Sequence, residues 1–131
     1  DTAAFNRIME AFGLPKGTDE EKAARTKAIQ DATLYAIEVP FRVMNLCFES
    51  MEVIKAMAEH GNPNSVSDAG VGALAARSAV MGAFLNVKIN ASGLKDKDKA
   101  NEFISRGAEI VKKAQQMEAE ILSIVESKIM A

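Results

Sequence analysis

Apolar residues recur at helical spacing from the first residues of the chain. Over residues 1–12 they form the stripe of an amphipathic helix, at Phe5, Ile8, Met9 and Phe12. The segment GLPKG then ends this helix, because Gly13 suits a left-handed C-cap and Pro15 cannot continue a helix. The pattern predicts a first helix that stops at about residue 12.

A second helical pattern begins at residue 19 and contains a proline. Thr18 and Glu21 form a capping box at its start. We expect a helix over residues 19 to 38 and a kink or break at Pro40, because proline removes a backbone hydrogen bond and clashes with the preceding turn. The apolar pattern then resumes and stops at Gly61. Its apolar residues lie on more than one face, which predicts a helix packed between others.

Two further helices fill the second half of the chain. Ser65 or Ser67 can cap the third, which ends near residues 90–93. Asp96 opens the fourth, which runs from about residue 97 to residue 129. Its inner positions alternate by four and three residues in a coiled-coil-like seam, at Ile110, Ala114, Met117, Ile121 and Ile124.

These patterns predict an all-α fold, a multihelical bundle of long antiparallel helices in one domain, residues 1–131. The net charge of −2 argues against a nucleic-acid partner, which would need a basic excess. Residues 69–91 are the most apolar stretch but contain Arg77 and Lys88, so we expect no membrane-spanning segment and no membrane partner. The single cysteine, Cys47, fits a reducing compartment, and we expect a cytoplasmic protein.

The third helix has two distinguishable stripes. One consists of small residues with polar groups at both ends: Asp68, Gly72, Ala75, Ala79, Gly82, Asn86 and Asn90. It would let another helix or a flat ligand approach closely. The opposite stripe comprises Gly70, Leu74, Arg77, Met81, Phe84 and Lys88. Its two charges could reach solvent, pair with carboxylates of another helix, or face an anionic ligand.

The stretch GNPNSVSDAGVG, residues 61–72, concentrates hydrogen-bonding groups at the start of the third helix. Two amides, two hydroxyls and a carboxylate come from Asn62, Asn64, Ser65, Ser67 and Asp68. Turn and capping bonds are the default use of such residues, and a first-turn carboxylate stabilises the helix dipole. The remaining groups, with the free N–H groups of the helix, could also bind a carboxylate or a polar heterocycle.

Other chemical groups are sparse. The single histidine, His60, follows a helix C-terminus, where the helix dipole favours a capping imidazolium. Cys47 lies in the apolar pattern and is expected in the core. One histidine and one cysteine do not support a zinc site, so no metal site is predicted.

Three stretches together resemble the formiminotransferase-cyclodeaminase family: DTAAFNRIMEAFGLPK, AIEVPFRVM and GNPNSVSDAGVGALAARSAVMGAFLNVKIN. The resemblance is to its cyclodeaminase domain and to the related bacterial methenyltetrahydrofolate cyclohydrolases, and it covers nearly the whole chain. It implies an all-helical domain that dimerises and binds a folate. Domains of this family carry an additional N-terminal region with a TPGGGS-like segment, so we expect this chain to be the C-terminal part of such a domain.

The resemblance also implies a reaction. Cyclodeaminases convert 5-formiminotetrahydrofolate to 5,10-methenyltetrahydrofolate with loss of ammonia, and cyclohydrolysis of the methenyl product is the close alternative. Neither reaction needs a metal or redox cofactor, so the tetrahydrofolate derivative, possibly polyglutamylated, enters as substrate. A helical assembly module without catalysis is the alternative from another class.

Physical chemistry suggests roles for the candidate residues within such a folate site. Asp68 would transfer a proton or anchor the pterin ring. The residues that would shape the pocket around it are Asn62, Asn64, Ser65 and Ser67. Those that would meet the glutamate carboxylates of folate, or pair with protein acids, are Arg77 and Lys88. Those that could bond to the pterin edge are Asn86 and Asn90.

Overall fold

A computed structural model describes residues 1–131 as four α-helices and one 3₁₀ turn. The helices are α1 (Thr2–Phe12), α2 (Asp19–His60), α3 (Val66–Ala91) and α4 (Lys97–Ile129), and the 3₁₀ turn spans Pro63–Ser65. No strand is present. The prediction of an all-α fold is therefore confirmed.

Helices α2, α3 and α4 pack on one another as a three-helix bundle, and α1 packs against α2. The α2–α3 pair is antiparallel, because Asn90 contacts Ala36 at one end and Gly72 faces Ile54 near the other. By this register, each step forward along α3 corresponds to a step back along α2.

Helix α4 covers a second side of α3, also antiparallel to it. Near the start of α3, Gly70 faces Val125, and near its end the ring of Phe84 lies over Gly107. A Cβ at position 107 would come within 2.7 Å of that ring, so the close approach of the two helices requires glycine there.

The core lies between these three helices. Its largest fully buried side chains are Ile37, Met44, Met51, Val80, Val87 and Ile121. Phe41 and Phe103 add an edge-to-face pair with ring centroids 5.3 Å apart. The predicted seam of α4 faces this core: Ala114 and Ile121 are buried, and the other three members are partly buried and pack against it.

Local capping chemistry fixes the starts of α2 and α4 where the sequence predicts them. The Thr18 hydroxyl accepts a hydrogen bond from the N–H of Glu21 at 3.1 Å. The Asp96 carboxylate accepts one from the N–H of Lys99 at 3.0 Å. The prediction of a left-handed C-cap at Gly13 is wrong, since its φ is −78° and no residue in the chain has a positive φ.

Pro40 does not break α2, which runs without interruption from Asp19 to His60. Proline has no N–H, so the carbonyl of Ala36 loses its helical partner. The side-chain amide of Asn90 donates to that carbonyl at 3.0 Å. This bond from α3 gives the carbonyl a partner in place of the missing N–H, which offsets part of the cost of a buried proline.

Helix α1 packs on the bundle through its small residues, and not through the large apolar stripe that the sequence predicts as its buried face. Ala4 and Ala11 are buried, whereas Phe5, Met9 and Phe12 are each more than half exposed. The aromatic ring of Phe12 is partly covered by Arg25, whose guanidinium also donates to the Phe12 carbonyl. The small alanines let α1 lie close to α2.

One segment, Pro63–Ala91, is long and apolar enough by length and composition to cross a membrane, with a mean hydropathy of 1.3 in its most apolar window. The expectation that no segment qualifies is wrong by that criterion. One third of that window is buried inside the fold. Core helices of soluble proteins satisfy the same criterion, so the finding alone does not place the protein in a membrane.

Candidate functional site

The turn between α2 and α3 begins with a glycine, and any other residue at this position would require the backbone to move. Gly61 caps α2, and its N–H donates to the Met57 carbonyl at 2.8 Å. A Cβ at Gly61 would overlap that same carbonyl oxygen. The end of α2 is further held by Lys128 of α4, whose ammonium donates to the carbonyls of Ala58 and Glu59 at 2.6 and 2.5 Å.

Asn62 organises the next residues. Its side-chain oxygen accepts a hydrogen bond from the N–H of Asn64 at 3.0 Å, and its carbonyl accepts one from the N–H of Ser65 at 2.9 Å. Pro63 starts the 3₁₀ turn, where its missing N–H costs nothing. Ser65 occupies the N-cap position of α3, as predicted, but its side chain makes no capping bond. Its hydroxyl therefore stays free for another partner.

A pocket of about 390 Å³ opens at this turn. Three of the predicted site residues, Asn62, Ser65 and Asp68, line it. Its other lining residues come from α2, the turn and the first turns of α3: Val53, Ile54, Met57, Gly61, Ala69 and Gly72. The pocket thus has an apolar wall from α2 and a polar edge from the turn, an arrangement typical of small-molecule sites.

Asp68 provides the only charge in this pocket. It lies in the first turn of α3, and its carboxylate has no hydrogen bond or ion pair within the chain. The first-turn N–H groups of a helix favour a negative charge at this position. A carboxylate with unused acceptor capacity at the edge of an apolar pocket can accept or return a proton.

The other members of the polar cluster lie outside this pocket. Asn64 and Ser67 are exposed and are not among its lining residues. The backbone N–H of Asn64 supports the loop through Asn62, which is a structural contribution. Their predicted role in shaping the pocket stays a prediction.

Arg77 and Lys88 line a second, separate pocket of about 450 Å³. The Arg77 guanidinium pairs with Glu118 of α4 at 2.5 Å, where both side chains are mostly buried. The ammonium of Lys88 lies 4.6 Å from the centre of the Phe84 ring and has no carboxylate partner. Of the three alternatives that the sequence left open, Arg77 pairs with a carboxylate of another helix. Lys88 has no such partner, so its ammonium is available to solvent or to an anionic ligand.

The two asparagines near the end of α3 differ in their surroundings. Asn86 is exposed and makes no side-chain hydrogen bond. Asn90 is half-buried and donates to the Ala36 carbonyl, as described above. The amide nitrogen of Asn90 is thus already engaged in holding α3 to α2, and the sequence could not show this because the two residues are far apart along the chain.

Within one chain, the two groups of predicted residues are separated along α3: Asp68 lies in its first turn, Arg77 near its middle, and Lys88 near its end. Asp68 and Lys88 are twenty residues apart on one continuous helix, which corresponds to about 30 Å. The structure therefore brings together Asn62, Ser65 and Asp68, and leaves Arg77, Asn86, Lys88 and Asn90 away from them.

Comparison with known proteins places these features in a family. A family model described as formiminotransferase-cyclodeaminase matches residues 1–109. The chain belongs to the formiminotransferase-cyclodeaminase family. The match includes both pockets except Val111 in the second, and the last twenty residues of α4 lie beyond it.

Two kinds of relative within this family are similar to the chain. A methenyltetrahydrofolate cyclohydrolase from Methylorubrum extorquens is 41% identical over 129 residues, which cover 98% of this chain and 62% of the relative. The formimidoyltransferase-cyclodeaminases of Gallus gallus and Mus musculus are 34% and 31% identical, and the matched part is 24% of each. The chain thus spans less than two thirds of the cyclohydrolase and about a quarter of the two larger proteins.

Sequence reasoning missed the α2 wall of the pocket. Val53 and Met57 are 63% and 54% exposed although both are large and apolar. The sequence pattern placed α2 between other helices and gave no sign that this face stays open. The wall is the exposed side of the last turns of α2, which lies beside the turn and the start of α3.

Proposed function

We propose that this protein is a folate one-carbon enzyme acting at the carbon that bridges N5 and N10 of tetrahydrofolate. The observation that supports this most directly is the pocket at the start of α3, lined by Asp68, Asn62 and Ser65, in a chain of the formiminotransferase-cyclodeaminase family. Its size lies within the range that holds a small heterocyclic ligand. The substrate is a tetrahydrofolate derivative, with no covalently bound cofactor.

The first candidate reaction is cyclodeamination of 5-formiminotetrahydrofolate. The formimino group reacts as its protonated amidinium, which carries one positive charge; N10 attacks its carbon, and a bond forms between N10 and that carbon. The N10 proton moves to the amino group on the same carbon, the carbon–nitrogen bond breaks, and ammonia leaves. The product is the 5,10-methenyl cation. The protein must hold N10 close to the carbon and move one proton between two nitrogens.

Asp68 is the group that we assign to this proton transfer. Its carboxylate has no partner in the chain and lies at the pocket edge. The free hydroxyl of Ser65 and the side-chain amide of Asn62 would bond to the polar edge of the pterin, and the α2 wall would cover its face. General acid–base groups in such positions contribute about 10²–10⁴-fold to rate.

Cyclohydrolysis of 5,10-methenyltetrahydrofolate is the second candidate, favoured by the 41% identity to the Methylorubrum extorquens cyclohydrolase. Water adds to the same carbon, the bond to N5 breaks, and 10-formyltetrahydrofolate and a proton result. Both reactions pass through a tetrahedral carbon between N5 and N10, so the same carboxylate serves either one. We also propose a homodimer and a cytoplasmic location, which follow from the resemblance to the family and from the single cysteine.

The test combines two substrates with one substitution. Ammonia release from 5-formiminotetrahydrofolate and loss of the methenyl chromophore are measured for the full-length protein and for Asp68→Asn. The substitution keeps the shape of Asp68 and removes its basicity, so we expect kcat to fall by about 100-fold or more with the KM nearly unchanged. The substrate that the unmodified protein turns over decides between the two candidates.

A matched control is Asp98→Asn, which removes the first-turn carboxylate of α4, far from the pocket. Both substitutions lose a helix-dipole interaction worth about 0.3–1 kcal/mol. If Asp68 acts only through that dipole, the two variants will have equal activity and Asp68 is removed from the chemistry. If the protein shows neither turnover of a folate nor saturable folate binding, the hypothesis of a non-catalytic assembly module replaces the enzyme hypothesis.

A further inference from the structure

Helix α3 contains three glycines, Gly70, Gly72 and Gly82. None of them has a positive φ, so alanine would fit the backbone conformation at each position. Alanine also stabilises a helix more than glycine does, because glycine loses more conformational freedom on folding. The stability of the chain therefore favours alanine at all three positions, unless neighbouring atoms leave no space for a Cβ.

Packing within the chain accounts for Gly70 but not for Gly72. A Cβ at Gly70 would lie 3.3 Å from a methyl group of Val125, which is closer than ordinary van der Waals contact. A Cβ at Gly72 would lie 3.6 Å from the nearest atom, the Cδ1 of Ile54, which is an ordinary contact. Alanine at position 72 would thus fit without movement of its neighbours and would gain a contact with Ile54. The fold of the chain gives no reason for glycine there.

Gly72 lies in the floor of the pocket that Asp68 borders. Gly72 on α3 and Ile54 on α2 face each other, and both line this pocket. Ile54 packs against the core, whereas Val53 and Met57 are more than half exposed and form the wall beside it. We call Gly72 and Ile54 the pocket floor. The missing side chain of Gly72 leaves this floor deeper by the volume of one methyl group.

The position of Gly72 relative to Asp68 sets what the floor can hold. The two residues are four apart in α3, so they share one side of the helix and their side-chain positions are about 5–6 Å apart. A ligand group that reaches the Asp68 carboxylate from inside the pocket therefore lies beside the backbone of Gly72. A glycine backbone lets a ring approach to van der Waals distance, which a Cβ would prevent.

We propose that Gly72 determines the substrate class of this pocket, because its missing side chain makes the floor deep enough for the fused bicyclic ring of a tetrahydropterin. The ring that carries N5 lies against Gly72 and Ile54, and the one-carbon group on N5 comes within reach of Asp68. This inference rests on the proposed function, which places such a substrate in the pocket. A methyl group at position 72 lifts the ring from the floor and moves the reacting carbon away from the carboxylate.

Gly82 provides an internal comparison. It lies in the same helix, about 15 Å farther along, and it does not line the pocket of Asp68. A Cβ at Gly82 would meet no atom within 4 Å. Alanine at position 82 therefore changes the stability of the helix without changing the pocket floor.

Gly72→Ala tests the proposal through two effects of opposite sign. We expect the melting temperature to rise by about 2–4 °C, because alanine favours the helix. We expect the affinity for 5-formyltetrahydrofolate to fall by about ten-fold or more, because the added methyl group takes space that the ring needs. This probe carries the tetrahydropterin ring and a one-carbon group on N5. Thermal unfolding by circular dichroism and isothermal titration calorimetry measure the two effects.

Two further variants serve as control and rescue. Gly82→Ala should raise the melting temperature by a similar amount and leave the affinity for the probe unchanged. Ile54→Val removes Cδ1, the atom nearest to the Cβ of an alanine at position 72. In the Ile54→Val background the floor regains about one methyl group of space, so Gly72→Ala should then weaken binding by only about three-fold. An undiminished loss in that background would show that Gly72 does not act through the depth of the floor.

Turnover separates the ring from the tail of the substrate. If the ring lies on the floor, Gly72→Ala should lower kcat by about ten-fold as well as raise KM, because the reacting carbon is displaced from Asp68. A raised KM with an unchanged kcat would place the tail of the folate over Gly72 and overturn the assignment of the ring.

The remaining outcomes distinguish this inference from the proposed function. An unmodified protein that neither binds the probe nor turns over a folate removes both. An unmodified protein that binds the probe, with an unchanged affinity in Gly72→Ala, overturns this inference alone. A lower melting temperature for Gly72→Ala also overturns it, since packing within the chain would then be the reason for the glycine.

Discussion

Helices α3 and α4 are both long and belong to the same bundle, yet they face solvent in different ways. Helix α4 has twelve charged residues among 33, and they lie mainly on the side away from its buried seam. Helix α3 has three among 26, and one of those is paired inward with Glu118. Helix α4 is thus the outer cover of the core, whereas α3 is apolar on every side.

The difference shows what each helix contributes to the molecule. A cover helix needs one apolar seam and a charged exterior, and α4 has both. A helix that is apolar all round belongs in an interior, yet α3 is buried by α2 and α4 on two sides only. The third side carries exposed Val71, Leu85 and Ile89, and the stability of this chain does not explain them.

The largest expected difference in stability comes from the same change, isoleucine to alanine, made once in the buried seam of α4 and once on the exposed side of α3. Ile121→Ala removes a fully buried side chain of α4 and should lower the free energy of unfolding by about 2–5 kcal/mol. Ile89→Ala removes a side chain of α3 that is 70% exposed and should cost less than about 0.5 kcal/mol in the dilute protein. Urea unfolding at low protein concentration measures both.

The same measurement at high protein concentration completes the test. If α3 pairs with a second copy, the unmodified protein becomes more stable as its concentration rises, and Ile89→Ala reduces that gain while Ile121→Ala does not. Equal losses for the two variants at low concentration would mean that the exterior of α3 already supports the fold of the single chain, which contradicts the comparison.

Replacing either of two glycines by alanine should change the free energy of unfolding by a smaller amount, with opposite signs at the two positions. Gly107→Ala brings a methyl group against the ring of Phe84, so it should cost about 1–3 kcal/mol. Gly82→Ala meets no atom within 4 Å and gains about 0.5–1 kcal/mol in the dilute protein, because alanine favours the helix. Thermal unfolding of both variants, followed by circular dichroism, gives the two signs directly.

Helix starts and the polar turn could be predicted from the sequence because their causes are local. Thr18 and Asp96 each bond to an N–H three residues ahead, and the sequence shows both partners. The same holds for Asn62, Ser65 and Asp68, which lie within seven residues of one another.

Features that depend on distant partners could not be predicted. The inward face of α1 is set by the fit of Ala4 and Ala11 against α2, and hydrophobic spacing alone favoured the larger Phe5 and Met9. The hydrogen-bond partner of the carbonyl that Pro40 leaves free is Asn90, fifty residues along the chain from the proline. The α2 wall of the pocket likewise depends on which side of α2 the other helices leave uncovered. In each case the missing information is a tertiary contact.

The last prediction concerns the one polar residue through which α3 is bonded to α2. Asn90→Ala leaves the Ala36 carbonyl without a partner and should cost about 1–2 kcal/mol. In a Pro40→Ala background, residue 40 regains an N–H that can satisfy that carbonyl, so Asn90→Ala should then cost much less. A double-mutant cycle from urea unfolding should give a coupling of about 1 kcal/mol. Additive losses would show that Asn90 does not compensate for the proline, and its amide would then be free for the pterin edge. Folate titration of the same four proteins separates the two roles, because a ligand-binding Asn90 would lower folate affinity equally in both backgrounds.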